Sequence, residues 1–280
     1  MTERFVRVDG RPLHVRREGA GPVCLLSGGL GSSWFDWDLV VPLLTPYRTV
    51  VRFDRPGFGL SAPAPDPPTA AGEARRILGV LDALGLPGAC TVAGHSLAAF
   101  HVEAFARLYP ARTAGLVLLD GSFEPDPEPL PAPELRDLAA RGLAAGATAV
   151  AGPYLLGPAA RRLVARANTV CGEDLAPVEL VRRSYRTGRA LRALLRENSA
   201  YLDVAAELAE LRVLAPLPDA PVTVLAADDG RDDPRTHRRL ARQRALAGLL
   251  GGEFRTAAPA GHLLMFDRPD SVARAVLDCA

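Results

Sequence analysis

Short apolar runs alternate along the chain with segments of helical periodicity. Six of the runs are apolar on both faces, as strands buried in a parallel sheet are, whereas the first two alternate with polar residues and are joined by "DGRP", which is typical of a hairpin. The eight predicted strands span residues 4–8, 13–17, 23–27, 49–54, 90–95, 115–120, 222–227 and 253–258. The main helical patterns between and after them lie at 69–86, 97–110 and 271–280. This alternation predicts an α/β fold, with a mostly parallel eight-stranded sheet and helices on both faces.

The alternation stops between Gly121 and Ala220, where the sequence has no convincing strand. The segment begins with the proline-rich, acidic stretch "EPDPEPLPAPE" and ends with "APLPDAP". Helical stretches lie between them, at roughly 134–150, 158–170, 177–197 and 199–211. We therefore predict a helical cap of residues 122–220, inserted after strand six into a core domain of residues 1–121 and 221–280.

Composition and charge argue against several classes of partner. The 280 residues carry 33 basic and 32 acidic side chains, and a net charge of +1 gives no electrostatic basis for binding nucleic acid or an anionic membrane. The hydrophobic fraction of 48% allows a substantial core. No apolar run approaches the roughly 18 residues of a membrane span, and the N-terminal "MTERFVRVDG" lacks the apolar stretch of a signal peptide. We expect a cytoplasmic protein.

The cysteines also indicate a reducing compartment. Cys24 and Cys90 lie in apolar strand-like runs, and none of the four cysteines forms a C-x-x-C pair. No cluster of His, Cys and Asp has the spacing of metal ligands. We expect free, mostly buried thiols and no metal site.

The stretch "VAGHSLAAF" (92–100) places Ser96 where a strand would turn into a helix. In an open parallel sheet, ligands bind beyond the carboxyl ends of the strands, and Ser96 lies at such an end. A turn sharp enough to project the hydroxyl leaves little room for side chains two residues away, and Gly94 and Ala98 satisfy that requirement. The first N–H groups of the helix would point at the serine, where they could hold an oxyanion. We predict that Ser96 is a nucleophile.

This stretch resembles the nucleophile elbow G-x-S-x-G of the α/β-hydrolases, with Ala98 at the position of the last glycine. Three more segments are similar to that family in the expected order. They are "LLSGGLGSSWFDW" (25–37), similar to the oxyanion loop after strand three, "DRPGFGLS" (54–61), similar to the segment after strand four, and "AGHLLMFDRPD" (260–270), similar to the segment with the catalytic histidine. The resemblance covers nearly the whole chain, although the cap matches only in its position and helical character. It implies an α/β-hydrolase fold and a Ser–His–Asp triad.

One of the five histidines is placed to act as the base that takes the serine proton. The others lie in the N-terminal hairpin, in the elbow itself, on the helix after the serine and in an arginine-rich stretch, and they are His14, His95, His101 and His237. We expect the elbow histidine to point away from Ser96 and to pack near the strand end. His262 follows the last strand and reaches the carboxyl edge of the sheet, so we predict that it is the general base.

The resemblance leaves two positions for the acid that supports His262. Many family members carry it in a G-x-x-D segment after strand seven, where this chain has "VLAADDGRDDP" and the expected position falls on Gly230. Other members carry it after strand six, where Asp120 is the first polar residue beyond "LVLL". We favour Asp120 and keep Asp229 as the alternative acid.

The resemblance also implies two backbone donors for an oxyanion, the N–H groups of Leu97 and Gly29. A histidine usually precedes the glycine pair in this family, and this chain has Ser27. That serine is either a smaller packing residue or a hydroxyl that bonds within the loop. We interpret "DRPGFGLS" as structural, with Asp54 and Arg55 pairing or capping near the sheet edge. From their neighbours in the sequence, we expect the acyl pocket to be lined by Leu30, Phe58, Leu97, Leu263 and Met265.

The predicted function is that of a serine hydrolase, which cleaves a small or medium carboxylic ester or a related acyl substrate through an acyl-enzyme on Ser96. His262 is its predicted general base, and we expect it to need no metal or organic cofactor. A serine, rather than an aspartate, at this position argues against an epoxide hydrolase or a dehalogenase. Two alternatives stay open. One is a catalytically weak ligand-binding or signalling protein on the same scaffold. The other is an acyl-processing enzyme of thioesterase or lactonase type in a biosynthetic pathway, with a carrier protein as a possible partner.

Overall fold

The computed structural model describes residues 2–279, which form eight β-strands and eleven α-helices. The strands are β1 Thr2–Val8, β2 Arg11–Glu18, β3 Val23–Ser27, β4 Thr49–Phe53, β5 Cys90–His95, β6 Thr113–Leu119, β7 Val222–Ala227 and β8 Glu253–Ala257. The helices are α1 Val41–Leu44, α2 Ala70–Ala83, α3 Ala98–Leu108, α4 Pro133–Ala149, α5 Gly152–Ala167, α6 Val178–Tyr185, α7 Gly188–Ser199, α8 Tyr201–Leu214, α9 Pro234–Leu250, α10 Leu264–Asp267 and α11 Pro269–Asp278. All eight predicted strands are present.

The strands form one sheet in the order β1-β2-β4-β3-β5-β6-β7-β8. β1 and β2 form the predicted hairpin, and β2 pairs antiparallel with β4. All the other neighbouring pairs are parallel. The carboxyl ends of these parallel strands therefore meet at one edge of the sheet, and the loops with Ser96, Asp120 and His262 leave from that edge.

The parallel strands are buried on both faces, because successive side chains of a strand point to opposite sides. On β3, Leu25 packs in a cluster with residues of α2, α3, α8 and α9, whereas Cys24 and Leu26 pack in a second cluster with residues of α1, α10 and α11. All three side chains are fully buried, and burial of a leucine stabilises a fold by about 1.5–3 kcal/mol. The predicted helices on both faces of the sheet are confirmed.

Helices α4 to α8 lie between β6 and β7 in the chain, and no strand interrupts them in the part that the structure describes. α5 begins at Gly152, earlier than the predicted start at Pro158. Pro153 takes a position in the first turn, where a residue without an N–H fits a helix, and Pro158 lies inside the helix. The division into a core and a cap of residues 122–220 stays a prediction.

The predicted helix over 177–197 is instead two helices, α6 and α7. Thr187 stands at the break and has extended backbone angles. Its hydroxyl accepts a hydrogen bond from the N–H of Ala190 at 3.2 Å, which caps α7. The chain therefore starts a new helix at Gly188 rather than continuing the first.

All four cysteines are free, and three of them are buried. Burial raises the pKa of the Cys24 and Cys90 thiols to about 12. Since the thiolate is the reactive form, neither is a nucleophile near neutral pH.

No single helix among residues 2–279 is long and apolar enough to cross a membrane. α4 and α5 meet the length and composition criteria only as a pair, which is bent by 107° at the junction.

Candidate active site

Ser96 follows β5 directly and has a φ of +52°, in the left-handed region that serine rarely enters. Its N–H donates to the carbonyl of Leu119 at 3.1 Å, and its carbonyl accepts from the N–H of Ser122 at 3.0 Å. A Cβ on Gly94 would lie 2.4 Å from the carbonyl oxygen of Ala98. The close approach of β5 and α3 therefore requires the glycine, and the sharp turn holds Ser96 at the carboxyl end of the strand.

His262, in the loop between β8 and α10, links Ser96 to Asp120. Its Nε2 lies 2.9 Å from Oγ of Ser96, and its Nδ1 lies 2.6 Å from Oδ2 of Asp120. Because an ionised carboxylate only accepts hydrogen bonds, Nδ1 carries the proton and Nε2 is left to accept from the serine hydroxyl. Such an arrangement can remove the serine proton and stabilise the imidazolium that results.

Asp120 is fixed at the end of β6 by its neighbours in β7. Its side chain is 3% exposed, and its Oδ1 accepts from the N–H of Ala227 at 3.1 Å. Its own N–H donates to the carbonyl of Leu225 at 2.8 Å. Asp120 also has a positive φ, of +41°. The two left-handed residues Ser96 and Asp120 thus lie at adjacent strand ends, and backbone strain of this kind is concentrated at functional sites.

Asp229, the alternative acid, is engaged within the loop after β7. Its Oδ1 accepts from the N–H of Arg231 at 3.2 Å and from the hydroxyl of Thr236 at 3.0 Å. Burial raises the pKa of Asp229, but these hydrogen bonds and the nearby positive charges of two arginines together hold the pKa below its ordinary value. The structure brings Asp120, and not Asp229, into hydrogen-bond contact with His262.

The two expected oxyanion donors lie close to Ser96 in space or in sequence. A Cβ on Gly29 would come within 2.9 Å of the Cβ of Ser96, so the loop after β3 is in contact with the elbow. Among residues 2–279, the N–H groups of Gly29 and Leu97 have no protein acceptor. Ser27 is 1% exposed, and its hydroxyl has no hydrogen-bond partner within the same range. Of the two alternatives for Ser27, the structure supports a small packing residue.

His95, the residue before Ser96, contacts His262. Its Nε2 lies 2.8 Å from the carbonyl oxygen of His262, and the two ring centres are 4.7 Å apart. Since a carbonyl only accepts, Nε2 of His95 carries the proton. Burial, and then the neighbouring imidazole of His262, lowers the pKa of His95 to about 3, which leaves the ring neutral near pH 7. The side chain packs near the strand end as predicted, and it also holds the backbone of His262.

An apolar cavity of about 380 Å³ opens beside the oxyanion loop. Leu30 and Phe58, two of the residues predicted to line the acyl pocket, line this cavity. Other lining residues come from α5 and α7 and include Leu156, Ala160, Val164, Leu191 and Leu194. Leu97, Leu263 and Met265, which were also predicted to line the acyl pocket, do not line this cavity. Leu97 is buried in the cluster with α2 and α3. Leu263 and Met265 are buried in the cluster with α10 and α11, because the turn into α10 directs both into the core.

Arg55 contacts the oxyanion loop, and the sequence did not predict this contact. Its Nε donates to Glu197 of α7 at 2.7 Å, and its Nη2 donates to the carbonyl of Gly29 at 2.7 Å. Of the two predicted roles of Asp54, pairing with Arg55 is not observed, since Asp54 lies 2.8 Å from Nδ1 of His14. Capping is observed, because Asp54 accepts hydrogen bonds from two backbone N–H groups, each at 3.0 Å. Arg55 and Glu197 are 142 positions apart, so no local pattern indicates this contact.

The two remaining histidines lie outside this arrangement. His101 on α3 is 1% exposed, and neither of its ring nitrogens has a hydrogen-bond partner among the described residues. Burial lowers the pKa of His101 to about 4. His237 is exposed on α9 and lies 3.1 Å from Asp232. No group of three or more His, Cys, Asp or Glu side chains in the described range could hold a metal ion.

Comparison with known families decides the class of this protein. The sequence model of the family described as "Alpha/beta hydrolase family" matches residues 24–275. The chain belongs to the alpha/beta hydrolase family. The family and the fold class predicted from the sequence are thereby confirmed, and the chain is a member of a family of hydrolytic enzymes.

Among curated proteins, this alpha/beta hydrolase is 38% identical over 107 residues to "Putative carbamate hydrolase RutD" of Caulobacter segnis. That match covers 38% of this chain and 40% of the relative, so the chain spans about two fifths of the length of the curated relatives it matches.

Solved structures match over nearly the whole chain. Cfl2 of Burkholderia cenocepacia has a TM-score of 0.77 at 24% identity and covers 99% of this chain and 94% of its own. A thermophilic esterase of Thermogutta terrifontis has a TM-score of 0.67 at 22% identity and covers 99% of this chain and 97% of its own. At these identities the likeness establishes the fold alone.

Proposed function

We propose that this alpha/beta hydrolase cleaves a carboxylic ester of a small molecule, or a closely related acyl substrate, through an acyl-enzyme on Ser96. The observation that carries the proposal is the hydrogen-bonded chain in which His262 lies 2.9 Å from Ser96 and 2.6 Å from Asp120. A serine hydroxyl is a poor nucleophile until a base accepts its proton. The three residues supply the nucleophile, the base and the carboxylate that orients the base.

Acylation begins when Oγ of Ser96 attacks the carbonyl carbon of the ester. Nε2 of His262 takes the hydroxyl proton, and the carboxylate of Asp120 stabilises the imidazolium. The tetrahedral intermediate then collapses, and the bond between the carbonyl carbon and the alcohol oxygen breaks. His262 returns its proton to the departing alkoxide, so the alcohol leaves and the acyl group remains on Ser96.

Deacylation repeats these proton transfers with water in place of the serine. His262 removes a proton from water as its oxygen attacks the acyl carbon. The second tetrahedral intermediate releases the carboxylic acid, and Oγ of Ser96 takes the proton back from His262. The cycle uses no redox step and no group beyond water.

The negative charge on the carbonyl oxygen in both intermediates requires fixed donors. The N–H groups of Gly29 and Leu97 are the candidates, and the absence of a protein acceptor for either one among residues 2–279 supports this role. Removing one such donor reduces kcat by about 10²–10³-fold in well-studied hydrolases.

The cavity beside the oxyanion loop supports an apolar substituent on the substrate. The polar ends of its lining side chains are already engaged, since Arg161 donates to Asp36 at 2.7 Å and the Tyr185 hydroxyl donates to the carbonyl of Gly31 at 2.6 Å. An apolar acyl or alkyl group gains about 0.8 kcal/mol per buried methylene. We propose that residues 122–220 act as a cap that forms this pocket.

Carbamate hydrolysis is the second candidate, and the local likeness to the RutD relative favours it. A carbamate carbonyl is attacked by the same serine and needs the same oxyanion donors. A substrate series that pairs each ester with the carbamate of the same alcohol separates the two candidates by their kcat/KM values.

Labelling with a fluorophosphonate tests the proposal, together with turnover of p-nitrophenyl acetate and butyrate. Wild type is expected to label and to turn over, whereas Ser96→Ala does neither. Ser199→Ala, on α7, is the matched control and is expected to behave as wild type. A folded wild type that neither labels nor turns over would overturn the proposal in favour of the binding-protein alternative. Comparing kcat/KM for free and for carrier-bound acyl groups tests the acyl-processing alternative. The cytoplasmic location stays a prediction.

A further inference from the structure

Arg55 is buried between the oxyanion loop and helix α7. The side chains of Arg55 and Glu197 are 3% and 7% exposed. Nε of Arg55 donates to Oε1 of Glu197 at 2.7 Å and Nη2 donates to Oε2 at 2.9 Å, so the ion pair is bidentate. Burial lowers the pKa of Arg55, but the Glu197 carboxylate raises it above its ordinary value, and the guanidinium stays charged.

The same guanidinium holds two carbonyl groups of the oxyanion loop. Nη2 donates to the carbonyl of Gly29 at 2.7 Å, and Nη1 donates to the carbonyl of Gly28. In a trans peptide the C=O and N–H groups point to opposite sides. A Gly28 carbonyl fixed toward Arg55 therefore directs the Gly29 N–H away from Arg55. This N–H is one of the two donors that the proposed reaction needs.

Glycine makes this peptide dependent on outside support. Neither Gly28 nor Gly29 has a side chain that restricts the backbone, so the peptide between them can rotate unless it is held. After such a rotation, a carbonyl oxygen would replace the N–H that should face the oxyanion. A bond to the Gly28 carbonyl is therefore a means of keeping the donor in place.

Helix α7 is packed directly against the loops that Arg55 connects. A Cβ on Gly31, in the oxyanion loop, would lie 3.0 Å from Cδ1 of Leu194. A Cβ on Gly57, two residues after Arg55, would lie 2.8 Å from Cβ of Ala193. The helix thus approaches both turns closely, and displacing it would separate Glu197 from Arg55.

We propose that Arg55 and Glu197 are positioning residues for the oxyanion hole. Glu197 on α7 orients Arg55, and Arg55 holds the Gly28–Gly29 peptide with its N–H available to the acyl oxygen. This inference rests on the proposed function, because it concerns the assembly of the same site. It makes the oxyanion hole depend on the seating of a helix from the segment between β6 and β7.

The test compares Arg55→Met and Glu197→Gln with wild type on p-nitrophenyl butyrate. Loss of the Gly29 donor is expected to lower kcat by about 10²–10³-fold in Arg55→Met, with KM within about threefold. Inhibition by a trifluoromethyl ketone, which adds to serine as a tetrahedral oxyanion, is expected to weaken by a similar factor. Glu197→Gln should change both quantities in the same direction, by about 10-fold or more.

Arg196→Met is the matched control. Arg196 is also buried, pairs with Asp137, and donates from α7 to the carbonyls of Ala64 and Pro65, which lie outside the oxyanion loop. Its substitution should lower stability while leaving kcat and ketone inhibition within about threefold of wild type. If Arg55→Met does not fold, Arg55→Lys replaces it, because lysine keeps the charge but loses the planar fork.

The outcomes separate this inference from the proposed function. If wild type turns over and Arg55→Met or its lysine replacement behaves like Arg196→Met, the inference fails and the proposed function stands. A rise in KM with kcat and ketone inhibition unchanged would also overturn the inference, since it would indicate a role in binding. If wild type shows neither turnover nor fluorophosphonate labelling, both the inference and the proposed function fail.

Discussion

His95 donates its Nε2–H to the carbonyl oxygen of His262 across 2.8 Å. The residue that precedes the candidate nucleophile in the sequence therefore fixes the backbone of the candidate base. Because His95 is buried at the end of β5, its position is set by the sheet. The contact thus ties the loop after β8 to the strand that carries Ser96.

We expect His95→Ala to lower kcat by about 10- to 100-fold with little change in KM, because small displacements of a reacting group reduce rates strongly. His95→Gln, whose amide can still donate, should recover part of the loss. Steady-state kinetics on p-nitrophenyl butyrate measure both, and His237→Ala on the exposed face of α9 is the control. An Ala variant with wild-type kcat would show that the contact has no bearing on turnover.

Asp120→Asn is expected to lower kcat by up to about 10⁴-fold, because an amide cannot stabilise the imidazolium and favours the wrong tautomer of His262. Asp229→Asn, which removes a carboxylate engaged within its own loop, should keep kcat within about threefold. Both variants are compared at one pH with the same ester. If Asp229→Asn instead lowers kcat more than Asp120→Asn does, the supporting acid lies in the loop after β7.

Ala160→Phe is expected to narrow the apolar cavity and to shift selectivity toward short acyl groups. For wild type, kcat/KM should rise about three- to fourfold for each added methylene until the cavity is filled, which corresponds to about 0.8 kcal/mol per methylene. In the variant this rise should stop at a shorter chain, while acetate turnover changes little. The neighbouring Ala159→Phe, on the same helix but outside the lining, is the control. If both variants keep the chain-length profile of wild type, the acyl group binds elsewhere.

The stability of the protein should fall on acidification through the two buried histidines. The pKa values of His95 and His101 are lowered from 6.5 to about 3 and about 4. Between about pH 6.5 and pH 4 the unfolded chain therefore binds more protons than the folded one, and the free energy of unfolding decreases as the pH is lowered. Each histidine contributes at most about 1.4 kcal/mol per pH unit.

His101→Leu isolates one of these contributions. The decrease in Tm from about pH 7.5 to about pH 5 should be smaller in this variant than in wild type, because leucine takes up no proton. His237→Asn, at an exposed position, should keep the wild-type dependence. An equally steep decrease in His101→Leu would assign the acid sensitivity to other groups.

The positions of Ser96, Asp120 and His262 could be predicted because each directly follows a strand or lies in the loop beyond one. A parallel sheet brings such positions to one edge, so strand order and strand ends suffice to place them together. Counting along the sequence left Asp229 open as well. The choice depends on hydrogen bonds within the loop after β7, which have no sequence pattern of their own.

Side-chain direction and distant partners could not be predicted. Leu263 and Met265 neighbour His262 in the sequence, but the turn of α10 directs them into the core. Adjacency in the sequence suggests that Asp54 and Arg55 pair or cap, whereas Arg55 in fact pairs with Glu197 on α7, 142 positions away. Contacts of this kind arise from packing between helices and loops that the periodicity of one segment does not determine.

The buried pair of Arg55 and Glu197 limits how freely evolution or design can exchange the segment between β6 and β7. A transplanted segment without a carboxylate at the end of its α7 would leave a charged guanidinium enclosed and without a counter-charge, which is strongly destabilising. Residues 122–220 can therefore be replaced only if the new segment carries a carboxylate at the position of Glu197, or if Arg55 is substituted at the same time.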